Sequence, residues 1–292
     1  MQVIITGGTG LIGQKLTKLL QSEGHEVAWL SRSSKSSSSV KIFQWDIDAE
    51  KIDAEAFKWA DACIHLAGAG VAEKRWTDER KKVILESRVK STQLLYKHLK
   101  ENNIQLKSFI GASATGYYGS ITSDSVKTLM DEPGNDFLAD VTVAWEEEVQ
   151  KISSLNIPTT WIRTGIVLSK EGGALKEMAK PPVLAPLGTG NQWMPWIHID
   201  DICRMYLDVL ESNPGGPLNG VAPNPVTNEV FTKALAKTTG KLYVPVPAPK
   251  FVLKLALGEM SVVLTEGVRV EANKNFNYKF PQLDQALADL YQ

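Results

Sequence analysis

The sequence predicts an α/β chain whose parallel sheet is doubly wound, with a small C-terminal lobe. Three observations carry that prediction. Short β-branched and apolar runs alternate with longer amphipathic stretches through the first two-thirds of the chain, which is the signature of a parallel sheet covered on both faces. A glycine-rich string directly follows the first apolar run. After Gly165 the alternation breaks into Pro/Gly-rich segments and an α-rich tail.

The strand candidates are residues 3–6, 26–30, 41–45, 62–66, 108–112 and 159–163. Helical periodicity falls at 11–23, 78–102 and 139–154, so right-handed crossovers join the strands. Gly172-Gly173, 181–195 and 214–225 read as loop. Helices are expected at 200–211, 228–239, 250–264 and 283–290, and no internal repeat is visible. These patterns divide the chain into a nucleotide-type domain over 1–168, to which 196–222 returns, and a smaller substrate lobe of 169–195 and 223–292.

The 292 residues carry a formal net charge of −1 and are 43% hydrophobic. That length supports a well-buried core, and the near-neutral balance argues against nucleic acid or an anionic membrane surface as partner. Cys63 and Cys203, both in apolar stretches, read as buried free thiols in a reducing compartment. No apolar run approaches the ~20 residues of a membrane span. With a strand starting at Gln2, a cytoplasmic protein without a signal peptide is expected. Oligomeric state is not legible.

Thr6-Gly7-Gly8-Thr9-Gly10-Leu11-Ile12-Gly13 ends the first strand and opens the first helix. The spaced Gly7, Gly10 and Gly13 suit a Rossmann turn: one permits the bend, one lets backbone approach a pyrophosphate, one lets helix pack on strand. The helix N-terminus then offers free N–H groups to the phosphates. An acid at the end of the second strand would bind an adenosine ribose hydroxyl and repel a 2′-phosphate. Here the strand runs into Ser31-Arg32-Ser33, with Lys35 behind. Arginine grips phosphate through two donors and serines add hydroxyls, so NADP(H) is the expected cofactor. The alternative is that Arg32 is a solvated loop residue and 33–39 a flexible connection, mobile until a phosphate neutralises Arg32 and Lys35. Asp46, ending the third strand, is a candidate for the adenine amino group or else a solvated turn residue.

The Thr-Gly-Gly-Thr-Gly start and His65-Leu66-Ala67-Gly68 resemble the extended branch of the short-chain dehydrogenase/reductase superfamily. Further strings narrow this: Arg75-Trp76, Ser87-Arg88-Val89, Ser113-Ala114-Thr115-Gly116-Tyr117-Tyr118-Gly119, Trp145-Glu146, Arg163-Thr164-Gly165, Trp196-Ile197-His198-Ile199-Asp200-Asp201, the segment 219–228 and Gly258-Glu259-Met260. They resemble the atypical NAD(P)-dependent, sugar nucleotide epimerase-like family with a C-terminal domain of unknown function. The resemblance runs essentially end to end. It implies a Rossmann domain with a C-terminal substrate lobe, NADP(H) as cofactor, and cofactor contacts at the glycine turn (Gly7, Thr9, Gly10, Leu11, Ile12, Gly13), Ser31, Arg32, Leu66, Ala67, Gly68, Arg88 and Ile166.

Active members of the superfamily use a serine or threonine with a Tyr-x-x-x-Lys pair, in which the lysine lowers the tyrosine pKa from ~10. Ser113 matches the serine. Counted back from Glu146, the pair falls on Leu138 and Thr142, neither of which can do its work. Tyr117 and Tyr118 are the nearest phenols, as replacement acid/base or as packing aromatics; Asp140 and Glu146 are weaker candidates. Arg163 faces a substrate phosphate or braces the sheet end. His198 is expected to order its loop or cap the next helix, and Asp200 or Asp201 suits an N-cap. The four histidines show no metal spacing, so no metal is expected. Gly188-Thr189-Gly190-Asn191-Gln192-Trp193-Met194-Pro195-Trp196 suits a sugar or flat ring, or is a packed loop. Two readings follow. One is an NADP(H)-dependent oxidoreductase or epimerase acting on a small carbonyl or sugar-like substrate. The other is a non-catalytic NADP(H)-binding redox sensor.

Overall fold

A computed structural model describes residues 1–33 and 40–291. Lys35 and most of the serine run therefore lie outside the described residues. Eight strands form the main sheet: β1 (Gln2–Thr6), β2 (Glu26–Ser31), β3 (Lys41–Asp46), β4 (Lys51–Ile52), β5 (Ala62–His65), β6 (Ser108–Ala114), β7 (Thr159–Thr164) and β8 (Gly216–Gly220). Their order is β8-β7-β6-β5-β1-β2-β3-β4, parallel throughout except for the antiparallel β3–β4 pair. Chain order reverses between β1 and β5, and the crevice above such a switch point is where open α/β sheets bind ligands.

β1 and β5 are buried on both faces, as their continuous apolar runs require. The side chains of Val3, Ile5 and Ile64 pack on one face under α1 (Leu11–Ser22) and α4 (Ile199–Ser212). Ile4, Cys63 and Phe109 pack on the other under α2 (Asp78–Glu101) and α3 (Phe137–Ile152). A separate core joins Leu168, Trp196 and Ala222 to Phe231 of α5 (Asn228–Thr239) and Leu287 of α6 (Leu283–Tyr291).

Three expectations change. The breaker-rich 214–225 contains β8, an edge strand paired only with β7. An edge needs one ladder of hydrogen bonds, so Pro217 is tolerated there. The single helix expected at 250–264 is three short turns, Lys250–Leu257, Gly258–Ser261 and Val262–Thr265. They break at Gly258, whose φ of 64° leaves the helical range. The segment read as loop at 181–195 contains two two-residue strands, Val183–Leu184 and Trp193–Met194, and Gly173 opens a short helix, Gly173–Met178.

Candidate active site

The glycine turn sits on the crevice. Gly7 takes φ 68°, and a Cβ on Gly13 would collide with the Gly7 carbonyl and the Gly8 backbone. The turn therefore folds tightly under the start of α1 only with glycine at both positions. α1 has Gly10 as N-cap with no side-chain cap, so its first N–H groups are left for a ligand. A cleft of about 360 Å³ opens here. It is lined by Gly7, Thr9 and Gly10, by Ser31 and Arg32 at the end of β2, and by Leu66, Ala67 and Gly68 after β5.

Of the remaining expected cofactor residues, Leu11 and Ile12 follow in the first turn of α1, with Leu11 beside Gly172 and Gly173. Ser33 lies exposed just outside, its N–H donating to Ser31 Oγ (3.3 Å). Asp46 is exposed and accepts from Ala49 N–H (2.9 Å), a turn role, while its neighbours Trp45 and Ile47 line the cleft. Ile166 opens a short strand, its N–H donating to Pro195 O (2.6 Å).

Arg88 turns inward from the middle of α2. It donates to Ala69 O (3.0 Å) and Ile84 O (2.9 Å), and it crowds Gly68, where a Cβ would stand 3.2 Å from its Cζ. Burial, with the neighbouring Arg80 charge, draws its pKa down to about 10. Among the described residues no carboxylate pairs with Arg88 or Arg32.

The residues that hold this crevice in shape were not singled out from sequence. Thr6 Oγ1 accepts from Leu66 N–H and Ala67 N–H (3.1 Å each) and lies 2.7 Å from His65 Nδ1. With two N–H groups already on its oxygen, the threonine donates to the histidine. His65 Nε2 then faces Thr92 Oγ1 (3.1 Å) and Ser91 Oγ (3.2 Å), both of which donate to α2 carbonyls. Full burial, reinforced by Arg88, pulls the His65 pKa down to about 3, so the ring is neutral. A threonine ahead of the turn and a histidine ending β5 were the available signals.

At the ends of β6 and β7 lies a buried polar chain. Ser113 Oγ donates to Glu146 Oε1 (2.5 Å), and Arg163 donates to both Glu146 oxygens (2.8 Å each). Arg163 also donates to Tyr118 Oη (3.1 Å), which donates to Asn219 Oδ1 (2.7 Å). Burial opposes the charge on Arg163, but Glu146 and Tyr118 hold its pKa above the ordinary value. Burial raises the Tyr118 phenol. Arg163 thus braces the sheet end, and Glu146 is an internal partner rather than a surface charge. Tyr117, half-buried, stacks on Arg163 with its ring centre 3.3 Å from Cζ. Leu138 and Thr142 sit beside Gly116, and Thr142 Oγ1 donates back into its own helix.

His198 Nδ1 accepts from Asp200 N–H (3.1 Å), so the histidine, not either aspartate, caps α4. Asp201 instead accepts from the backbone N–H groups of Lys279 and Phe280. His198, Asp200 and Asp289 bring ligand atoms within 4.8 Å of one another, a grouping that spacing alone hid. The capping bond puts the ring proton on Nε2, facing Asp289 Oδ2 at 3.4 Å, and Lys15 and Lys279 hold Asp200. With its Nδ1 lone pair committed to the cap, the neutral His198 ring offers no lone pair to a metal. No helix among the described residues is long and apolar enough to cross a membrane.

A Rossmann sheet with this turn, an intact crevice and Leu138/Thr142 beside Gly116 defines an atypical member of the extended short-chain dehydrogenase/reductase class. The chain belongs to the NAD dependent epimerase/dehydratase family, whose model matches residues 3–221, followed by the domain of unknown function DUF1731 over 248–290. It is 35% identical to the epimerase family protein YfhF of Bacillus subtilis, over 99% of this chain and 98% of that protein. It is also 35% identical to an epimerase family protein of Staphylococcus aureus, with the same coverage. Among solved structures it resembles the human epimerase family protein SDR39U1, crystallised with NADPH (TM-score 0.86, 29% identity, covering 100% of this chain and 99% of that one). A nucleoside-diphosphate sugar epimerase of Corynebacterium glutamicum superimposes with TM-score 0.79 at 32% identity, covering 100% of this chain and 58% of that one.

Proposed function

We propose that this protein binds NADP(H) and acts as an oxidoreductase or epimerase on a small carbonyl or sugar-like substrate, without the Tyr-x-x-x-Lys pair. The carrying observation is the glycine-turn cleft with Arg32 on its rim and Arg88 against its floor, neither neutralised by a carboxylate. The exposed Arg32 guanidinium beside free helix N–H groups suits a ligand with several phosphates. The SDR39U1 structure with NADPH supports the same ligand.

Among the three candidate catalytic residues, Ser113 and Tyr118 commit their hydroxyl protons inside the buried chain, whereas the Tyr117 hydroxyl has no hydrogen-bond partner among the described residues. Tyr117 is therefore assigned as the proton donor or acceptor to substrate. Ser113, polarised by Glu146, presents its remaining lone pairs as an orienting acceptor.

Titration of the purified protein with NADPH and NADH, followed by tryptophan fluorescence, tests the cofactor. Trp29 and Trp45 line the cleft and will report occupancy. Arg32→Ala should weaken NADPH about tenfold, ~1.4 kcal/mol, and leave NADH unchanged. Equal wild-type affinity for the two nucleotides would remove the assignment. The second reading, a non-catalytic NADP(H) sensor, is favoured by Leu138 and Thr142. Absence of any change in bound-cofactor absorbance across carbonyl and sugar-nucleotide libraries would select it.

A further inference from the structure

A second cleft, of about 430 Å³, opens between α1 and α4 and shares no lining residue with the glycine-turn cleft. Its charged walls are Lys15 and Lys18 from α1, Asp200 and Arg204 from α4, and Lys279 from the segment before α6. Four cations thus face one carboxylate, in a chain whose formal net charge is −1.

Asp200 is already taken: its two oxygens lie 2.8 Å from Lys15 Nζ and 3.4 Å from Lys279 Nζ. Burial works against its charge, yet the Lys15 hydrogen bond holds its carboxyl below the ordinary range, and Lys15 is raised in turn. Lys18 and Arg204 are exposed, and no carboxylate pairs with either among the described residues. The buried Cys203 thiol adds no negative charge, since burial pushes it up to about 12. The cleft therefore lines up two exposed cations on facing helices, Lys18 and Arg204, the latter with Asp208 one turn further along α4, over a lining whose one carboxylate is neutralised.

We infer that this cleft binds a compact, multiply charged phospho-anion of the pyrophosphate type, independently of the nucleotide cleft. Two cations on separate helices call for a ligand with negative charge at two ends. A guanidinium beside ammonium groups matches phosphate oxygens better than a single carboxylate. The site lies directly along the helix that carries the glycine turn: Lys15 is five residues, about 7.5 Å, past Gly10.

Calorimetric titration of the full chain with pyrophosphate at low ionic strength, with and without saturating NADPH, tests this. In the NADPH-saturated protein one site is expected, unaffected by Arg32→Ala; a second site seen only without NADPH belongs to the glycine turn, so failure of the nucleotide reading leaves the measurement intact. The double variant Lys18→Gln/Arg204→Gln should weaken pyrophosphate at least about tenfold. Lys58→Gln/Lys151→Gln, which removes two exposed cations elsewhere, should not. Absence of binding in the NADPH-saturated protein, equal loss in both double variants, or equal affinity for citrate would each overturn the inference. The last would reassign the cleft to polyanions in general.

Discussion

Glu146 and Arg163 meet in a two-bond fork, Nε and Nη2 each 2.8 Å from a carboxylate oxygen, with both side chains more than nine-tenths buried. The pair is a hub: Ser113 binds the acid, Tyr118 binds the base, and Asn219 extends the chain to the Glu271 carbonyl in the C-terminal segment. It therefore ties β6, β7 and β8 of the main sheet to the segment around Glu271.

Breaking that fork from one side should cost far more than removing it whole. Glu146→Gln leaves a buried guanidinium without its counter-charge, a loss of about 3–5 kcal/mol in urea unfolding. The double variant Glu146→Gln/Arg163→Met should lose less than the sum of the two single changes, because it leaves no isolated charge. Strict additivity would show that the two residues do not act as a unit.

The glycine turn makes a separate steric prediction. A methyl at Gly13 meets the backbone of Gly7 and Gly8, which cannot swing aside. Gly13→Ala should cost about 1–3 kcal/mol and remove nucleotide binding. A methyl at Gly8 meets a side chain instead, the Trp29 indole, 2.5 Å from its Cγ. Gly8→Ala should therefore be cheaper in a Trp29→Ala background than in the wild type. Equal costs in the two backgrounds, read from urea midpoints, would contradict the geometry.

What the sequence shows and hides follows from the range of each interaction. The Rossmann turn, α1 and the buried strands are local patterns, three glycines and continuous apolar runs, and they read directly. Arg88 is placed at the cleft by family resemblance, since helical spacing cannot say that residue 88 meets Gly68. Glu146–Arg163 and Thr6–His65 join strands and helices distant in the chain, with no local periodicity to mark them. β8 is hidden for another reason: its glycines and proline read as breakers, and only pairing along one edge makes it a strand. His198 as a cap is legible from its place before α4. Its approach to Asp289 is not.

The two tyrosines should separate by experiment. Tyr118→Phe strands Asn219 Oδ1 and one Arg163 N–H in a dry interior, a loss of stability of about 1–3 kcal/mol. Tyr117→Phe removes a hydroxyl with no partner among the described residues, so stability should hold. If Tyr117 transfers the substrate proton, turnover should fall ~10²-fold or more. Turnover that survives in Ser113→Ala/Tyr117→Phe/Tyr118→Phe protein would reject all three as catalytic groups.

His65 sets a pH dependence whose sign is fixed by its neutral, fully buried ring. Its folded pKa of about 3 lies below the ordinary imidazole value of 6.5, so between those values the unfolded chain binds the extra proton. Stability therefore rises with pH across that window, is complete above about pH 6.5, and is lost as acid is added. By pH 5 the loss is about 2 kcal/mol from this residue alone. His198, whose pKa is also lowered by burial, acts in the same direction. His65→Asn keeps an acceptor toward Thr6 and donors toward α2 without a titrating ring. Its urea midpoint should be lower than wild type at neutral pH but fall less steeply toward pH 4. A parallel fall in the two proteins would assign the acid sensitivity to other groups.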